Sequence, residues 1–335
     1  MIKVAINGFG RIGRTFLRTV LSDPEAREKI NVVAINSGPS TTAQLIAHFF
    51  MYDSVMGTYS EPVSMDGNYL CIGDKRIIVL TESDPKKLSW KELEIDWVVE
   101  ATGKFLAKKD VEQHLSSGAQ AVLITAPAPD PDATIILGVN DQSFNKNMHK
   151  IVSLGSCTTN ALVPLLHILH TRFTITSAYM TTIHAYTNNQ VLLDVAQSDP
   201  RRARAAAFNI IPTTTGAMKV VDTLLPELAG KISGLSVRVP VAKVSFLDIS
   251  FTAKMPLAKE LIYSTCVQAQ KGLLKGIIQV TDKPLVSSDF AGNSHSSIVD
   301  GLLIDEVAGI GKVFAWYDNE WGYSCRLRDF LLKCM

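Results

Sequence analysis

From Ile2 to about residue 140 the chain alternates short apolar, β-branched runs with longer amphipathic stretches. The runs are Val4-Ala5-Ile6, Val32-Val33-Ala34-Ile35, Trp97-Val98-Val99 and Ala121-Val122-Leu123-Ile124. Short runs without alternation, spaced by helix-length segments, predict a parallel sheet with helical crossovers. Between Thr58 and Thr81 the segments shorten and alternate, with turn residues such as Asp66-Gly67, which predicts a peripheral antiparallel hairpin inserted in the α/β unit.

After Val152 the character changes. The polar cluster Ser153 to Asn160 opens a helix continued by the apolar run Ala161 to Leu169, and a strand follows from Ser177 to Tyr186. A polar and basic stretch runs to Arg204, and strand-like runs return at Leu235 to Pro240 and Val244 to Phe251. The last segment reads as a strand from Lys312, a polar turn, and a terminal helix from Cys325 to Met335 with apolar residues at helical spacing.

A chain of 335 residues exceeds one comfortable core and predicts two domains. A content of 47% hydrophobic and 19% charged residues supplies ordinary packed cores. The formal charge of +1 provides no net field for nucleic acid or anionic lipid, so any phosphate recognition must be local. The N-terminal residues read as a strand entering a glycine turn, without the pattern of an export leader, and no stretch reads as a membrane span. Cys71, Cys157, Cys266, Cys325 and Cys334 are an odd, scattered set without ligand spacing. They predict no disulfide framework and no metal site, and fit a cytoplasmic location.

Gly8-Phe9-Gly10-Arg11-Ile12-Gly13 is a GxGxxG run that follows a strand and opens a helix. Its first glycine permits the turn, its second lets the backbone approach a pyrophosphate, and its third lets helix pack on strand. The pattern predicts a Rossmann-type, doubly wound parallel sheet. The second strand ends at Asn36 and is followed by Ser37, where NAD-binding domains usually present an acid to the ribose. A small hydroxyl there accommodates NAD or NADP, so relaxed or NADP-leaning use is expected.

Cys157 falls in the first turn of the predicted helix, where the macrodipole and free amides favour a thiolate and can hold an oxyanion. His184 lies at the end of the following strand, which can return to the helix start. Thr187, the cluster Arg201, Arg202 and Arg204, Thr215-Gly216 and Arg238 supply hydroxyls, amides and guanidiniums suited to phosphate oxygens.

With NGFGRIGR, SCTTN, TTIHAYT, RRARAAAFNIIPTTTGAMK, RVP and WYDNEWGYS in order, nearly the full chain resembles the glyceraldehyde-3-phosphate dehydrogenases. The resemblance implies a homotetramer that oxidises glyceraldehyde 3-phosphate with inorganic phosphate to 1,3-bisphosphoglycerate, a step of glycolysis and gluconeogenesis. It implies Cys157 as nucleophile, His184 as acid/base, and Arg11, Ile12, Thr125 and Asn319 as cofactor contacts. Ser156, Thr158, Thr215, Gly216 and Arg202 would hold inorganic phosphate, and Thr187 and Arg238 the substrate's own phosphate.

The implied architecture is a dinucleotide-binding domain over 1–152, completed by a C-terminal helix over 319–335, and an α+β catalytic domain over 153–318 with a mostly antiparallel sheet. The chain departs from the family pattern at Asn188-Asn189, Val195-Ala196, Ser37 and Ser83. The alternatives are an erythrose-4-phosphate dehydrogenase, or a non-catalytic relative that binds a dinucleotide or another macromolecule.

Overall fold

The computed structural model describes residues 1–335. They form two compact units: Met1–Ile135 with Ser143–Gly155 and Ser324–Met335, and Ile136–Gln142 with Ser156–Tyr323.

The first unit contains strands β1 (Ile2–Asn7), β2 (Ile30–Asn36), β3 (Val63–Asp66), β4 (Tyr69–Ile72), β5 (Lys75–Leu80), β6 (Trp97–Glu100), β7 (Ala121–Ile124), β8 (Ala133–Thr134) and β9 (Ile151–Ser153). Its helices are α1 (Arg11–Ser22), α2 (Pro24–Lys29), α3 (Ala43–Met51) and α4 (Lys108–Ser116). The nine strands lie in the order β3-β4-β5-β2-β1-β6-β7-β9-β8. Strands β6 and β7 are buried at every position, because crossover helices cover a parallel sheet on both faces. The order departs from β1 in both directions, β2 on one side and β6 on the other. Ligands of such sheets bind at the carboxyl ends of strands around this reversal.

The Thr58–Thr81 region is more than a peripheral hairpin. Strands β3, β4 and β5 form an antiparallel meander whose third strand pairs in parallel with β2, through Ala34 opposite Ile78. Ile77 and Val79 are buried, so β5 extends the main sheet. Among the C-terminal residues of this unit, Phe330 stands edge-on to Trp97 at 5.6 Å between ring centroids.

The second unit contains β10 (Ile175–Ala185), β11 (Ile211–Thr213), β12 (Ile232–Val239), β13 (Ser245–Ala253), β14 (Ile278–Thr281), β15 (Ser297–Asp300), β16 (Asp305–Val307) and β17 (Ile310–Tyr317). Seven lie in the order β11-β12-β10-β13-β17-β15-β14, with β16 beside β17. The sheet is mixed: β10 with β12 and β14 with β15 are parallel, and the remaining pairs antiparallel.

Helix α5 (Cys157–Phe173) is buried along most of its length. Its Leu162, Leu166 and Phe173 share a core with Met180, Leu247, Phe251 and Val313 of the sheet. Side-chain alternation along β10 buries Met180, Thr182 and His184 on one face. Helices α6 (Ala217–Leu224), α7 (Lys259–Lys271) and α8 (Trp321–Lys333) complete the fold. Helix α8 starts at Trp321, between the two expected starts at 319 and Cys325, because the Asp318 carboxylate accepts from the Glu320 and Trp321 amides at 3.1 and 2.9 Å.

Candidate active site and nucleotide cavity

The first unit carries a cavity of about 520 Å³ at the carboxyl ends of its central strands. Asn7, Gly8 and Gly10 line it, with Asn36 to Thr41, Glu82, Ser83 and Ala101 to Lys104 among the other walls. The glycine turn is shaped by close approach. Gly8 has φ +97°, and a Cβ there would meet the Thr102 nitrogen at 2.6 Å; a Cβ on Gly13 would meet the Gly8 oxygen at 2.2 Å. A Cβ on Gly10 would meet nothing within 4 Å. Turn, open approach and helix packing are thus divided among the three positions as a pyrophosphate cradle requires.

The side chain of Arg11 turns away to Asp53, so its offer to a ligand is the main-chain amide at the start of α1. Ile12 follows it in that first turn. Ser37 lines the cavity and donates its amide to the Leu80 carbonyl at 2.9 Å. No carboxylate stands at that position. Glu82 is nearby, but its Oε1 accepts from the Ser83 and Asp84 amides at 2.7 and 2.9 Å. Thr125 bonds the Glu100 carbonyl through its amide and hydroxyl and is not among the cavity walls.

In the second unit, Cys157 is the first residue of α5, and the Ser156 hydroxyl caps that helix by accepting from the Thr159 amide at 3.1 Å. The half-buried Cys157 Sγ lies 3.5 Å from Nε2 of His184. His184 Nδ1 is 2.7 Å from the Ala185 carbonyl oxygen. Hydrogen on Nδ1, given to that acceptor, leaves the Nε2 lone pair to face the thiol, whereas the Arg238 guanidinium, which can only donate, favours the other tautomer. Arg238 enters because β12 runs parallel to β10 with Arg238 opposite His184. Its Nη1 lies 2.8 Å from His184 Nδ1 and donates to the same Ala185 oxygen at 3.1 Å.

Burial, reinforced by the Arg238 charge, holds His184 down at about 3, so the ring is a neutral base at ordinary pH. Burial also pushes the Cys157 thiol above its ordinary value, against the opposing Arg238 charge and bonds from Thr158 and the local backbone. Burial thus favours the thiol, while the helix start and the Arg238 charge favour the thiolate that forms when a base removes the proton.

The expected phosphate residues are distributed unevenly. Thr158 Oγ1 is engaged with the Tyr317 hydroxyl at 3.0 Å. Arg202 donates from Nε to Thr213 Oγ1 at 2.8 Å, and its charge is felt by Arg238. Arg204 instead pairs with Asp194 at 2.6 Å in an exposed contact. Thr215 and Gly216 form the start of α6, where Thr215 Oγ1 accepts from the Ala217 amide at 3.2 Å. The Thr187 amide bonds the Gln190 side chain at 2.9 Å. Asn319 Oδ1 accepts from the Ser245 hydroxyl at 3.2 Å, and that hydroxyl accepts from the Ala185 amide at 3.1 Å.

Sequence reasoning missed Tyr317 and Ser245, which the antiparallel register of β13 and β17 places opposite each other. The Tyr317 hydroxyl bridges Thr158 and Thr182, and its ring meets His184 edge-on at 5.9 Å. Its place beside Asn319 in the WYDNE motif was the available signal. His114, which no sequence motif singles out, is buried in the first unit against Asn7, Trp90 and Glu100.

Family models match a large part of both units. The glyceraldehyde 3-phosphate dehydrogenase NAD binding domain matches residues 2–108 and the C-terminal domain matches 156–319. Glyceraldehyde-3-phosphate dehydrogenase 2 of Bacillus subtilis is 45% identical over 332 residues, covering 98% of this chain and 96% of that protein. The enzyme of Geobacillus stearothermophilus is 46% identical over 329 residues, with coverage of 98% and 96%. That of Kitasatospora aureofaciens is 45% identical over 333 residues, with coverage of 99% and 98%. With a glycine cradle in one unit, a thiol–imidazole pair in the other and these relatives over nearly its full length, the chain belongs to the glyceraldehyde-3-phosphate dehydrogenase family.

Proposed function

We propose that this protein is a phosphorylating glyceraldehyde-3-phosphate dehydrogenase, oxidising glyceraldehyde 3-phosphate with inorganic phosphate and NAD(P)+ to 1,3-bisphosphoglycerate. The contact of Cys157 Sγ with His184 Nε2 at 3.5 Å carries this reading, since it joins a nucleophile to an unprotonated base. The glycine cradle of Gly8, Gly10 and Gly13, with the amides of Arg11 and Ile12, fits a dinucleotide pyrophosphate. When bound, the nicotinamide supplies the hydride acceptor.

His184 Nε2 takes the thiol proton, the sulfur attacks the aldehyde carbon, and His184 returns the proton to the former carbonyl oxygen to give a hemithioacetal. The amides of Cys157 and Thr158, in the first turn of α5, would meet the oxyanion. His184 next accepts the hemithioacetal hydroxyl proton as hydride departs, leaving a thioester on Cys157. Inorganic phosphate, held by Ser156, Thr158, Arg202, Thr215 and Gly216, attacks the thioester carbonyl. The C–S bond breaks, the acyl phosphate leaves, and the sulfur recovers its proton. Arg238 and Thr187 would hold the substrate's own phosphate, and Asn319, hydrogen-bonded by Ser245, would hold the nicotinamide carboxamide.

The finer reading of the cofactor is relaxed or NADP-leaning use, supported by Ser37 in place of an acid. Leu192 and Phe208, exposed at 88% and 89%, support assembly into a homotetramer. Five free thiols suit a cytoplasmic location, and no helix is long and apolar enough to cross a membrane. Reduction of NAD+ and NADP+ measured side by side, with glyceraldehyde 3-phosphate and with or without phosphate, tests substrate, cofactor and reaction together. Turnover independent of phosphate would contradict the proposal.

A further inference from the structure

Beneath the nucleotide cavity the first unit buries a polar cluster that the redox chemistry does not use. Glu100 ends β6 and is 1% exposed; His114 in α4 and Trp90 are fully buried, and Asn7 and Asn36 end β1 and β2 nearly as deep. The directions of the hydrogen bonds follow from Trp90, whose indole can only donate. Its Nε1 donates to His114 Nδ1 at 3.0 Å, so His114 carries its hydrogen on Nε2 and donates to Glu100 Oε2 at 3.1 Å. From the other side, Asn36 Nδ2 donates to Asn7 Oδ1 at 2.7 Å, and Asn7 Nδ2 donates to the same Oε2 at 2.6 Å. Oε1 accepts from the Thr102 amide at 2.8 Å and from the Thr102 hydroxyl. Four donors converge on one carboxylate, and Asn7 Nδ2 and His114 Nε2, 3.3 Å apart, both turn their hydrogens to Oε2.

Asn7, Asn36 and Thr102 all line the nucleotide cavity, and they sit at or just beyond the ends of three adjacent strands. Thr102 is also the residue against which the Gly8 turn is packed, too closely for any Cβ. Asn36 extends the network outward, since its Oδ1 accepts from the Glu82 amide at 2.9 Å and its Nδ2 donates to the Glu82 carbonyl at 3.0 Å. One carboxylate therefore fixes the glycine turn, the second-strand loop and the Thr102 loop relative to each other.

We propose that Glu100, oriented by His114, is the positioning residue of the dinucleotide site, setting the spacing of the three loops that would hold the cofactor. It touches no ligand and acts through Asn7, Asn36 and Thr102. The network is satisfied only with all its donors in place, so a lost donor leaves a buried acceptor unpaired and frees the loop it held. The proposal rests on reading the cavity as a dinucleotide site.

The test measures NAD+ and NADP+ dissociation constants by calorimetry on the full chain, with the rate of Cys157 alkylation by iodoacetamide in the absence of cofactor. Glu100→Gln places an amide hydrogen against donors, and His114→Leu removes one, so each should weaken dinucleotide binding about tenfold with the alkylation rate unchanged. His114→Gln keeps a donor near Oε2 and should bind within about twofold of the parent protein. Should Glu100→Gln fail to fold, the His114 pair and Thr102→Val carry the test. Unchanged affinity in His114→Leu, no rescue by Gln, or affinity and alkylation falling together would overturn the positioning role. If the parent protein binds neither dinucleotide, the reading of the cavity falls as well, which separates the two failures.

Discussion

The two units build their candidate sites from different materials. In the nucleotide cavity the decisive features are backbone ones: a turn at φ +97°, a helix packed on Gly8, and loops at strand ends. At the thiol site the decisive features are side chains from separate elements, with Cys157 on α5, His184 on β10, Arg238 on β12 and Tyr317 on β17. A backbone-built site is damaged by adding an atom, and a side-chain site by removing one. The first is written in a local motif, whereas the second exists only once strands have found their register.

The largest test of this contrast removes the nucleophile. Cys157→Ser should lower phosphorylating turnover by about 10⁴-fold or more, measured as NAD(P)H formation, with dinucleotide affinity retained because the cavity residues are untouched. Next, His184→Asn should cost roughly 10²–10⁴-fold in kcat/KM. That variant has a second readout. His184 is held down at about 3, so the unfolded chain binds more protons and native stability is lost as pH falls from about 6.5 towards that value. Urea unfolding of His184→Asn across this window should lose less stability than the parent protein.

The opposite manipulation breaks the backbone site. Gly8→Ala, with its Cβ 2.6 Å from the Thr102 nitrogen, should lower stability by about 1–3 kcal/mol in urea melts and weaken dinucleotide binding. Alkylation of Cys157 should be unaffected. The smallest effect belongs to the ribose end of the cavity. Ser37→Asp should lower kcat/KM with NADP+ by about tenfold and spare NAD+, through repulsion between carboxylate and 2′-phosphate. Equal loss with both cofactors would remove Ser37 from the specificity account.

The contrast also explains what could be read from the sequence. Gly8, Gly10 and Gly13 announce the cradle through their spacing in one turn, although the contact that forbids a Cβ on Gly8 comes from Thr102, far along the chain. Cys157 and His184 were legible as a helix start and a strand end. Nothing in RVP points to His184, since Arg238 lies 54 residues away and meets it only through the pairing of β10 with β12. Tyr317 is 159 residues from Thr158. Strand β5 was assigned to a hairpin because alternation does not say which neighbour a strand will take. The balance at the thiol was legible only in part: a helix start shows in sequence, but the desolvation opposing it depends on what the fold packs around the sulfur.

The central claim is that Cys157 carries the acyl group between oxidation and phosphorolysis. Mixing the protein with glyceraldehyde 3-phosphate and excess NAD(P)+ without phosphate, followed by acid quenching and peptide mass spectrometry, tests it directly. The account predicts one phosphoglyceryl thioester on the peptide containing Cys157, formed with a burst of NAD(P)H and discharged on adding phosphate. A burst with Cys157 unmodified, or an acyl group that phosphate does not release, would contradict it.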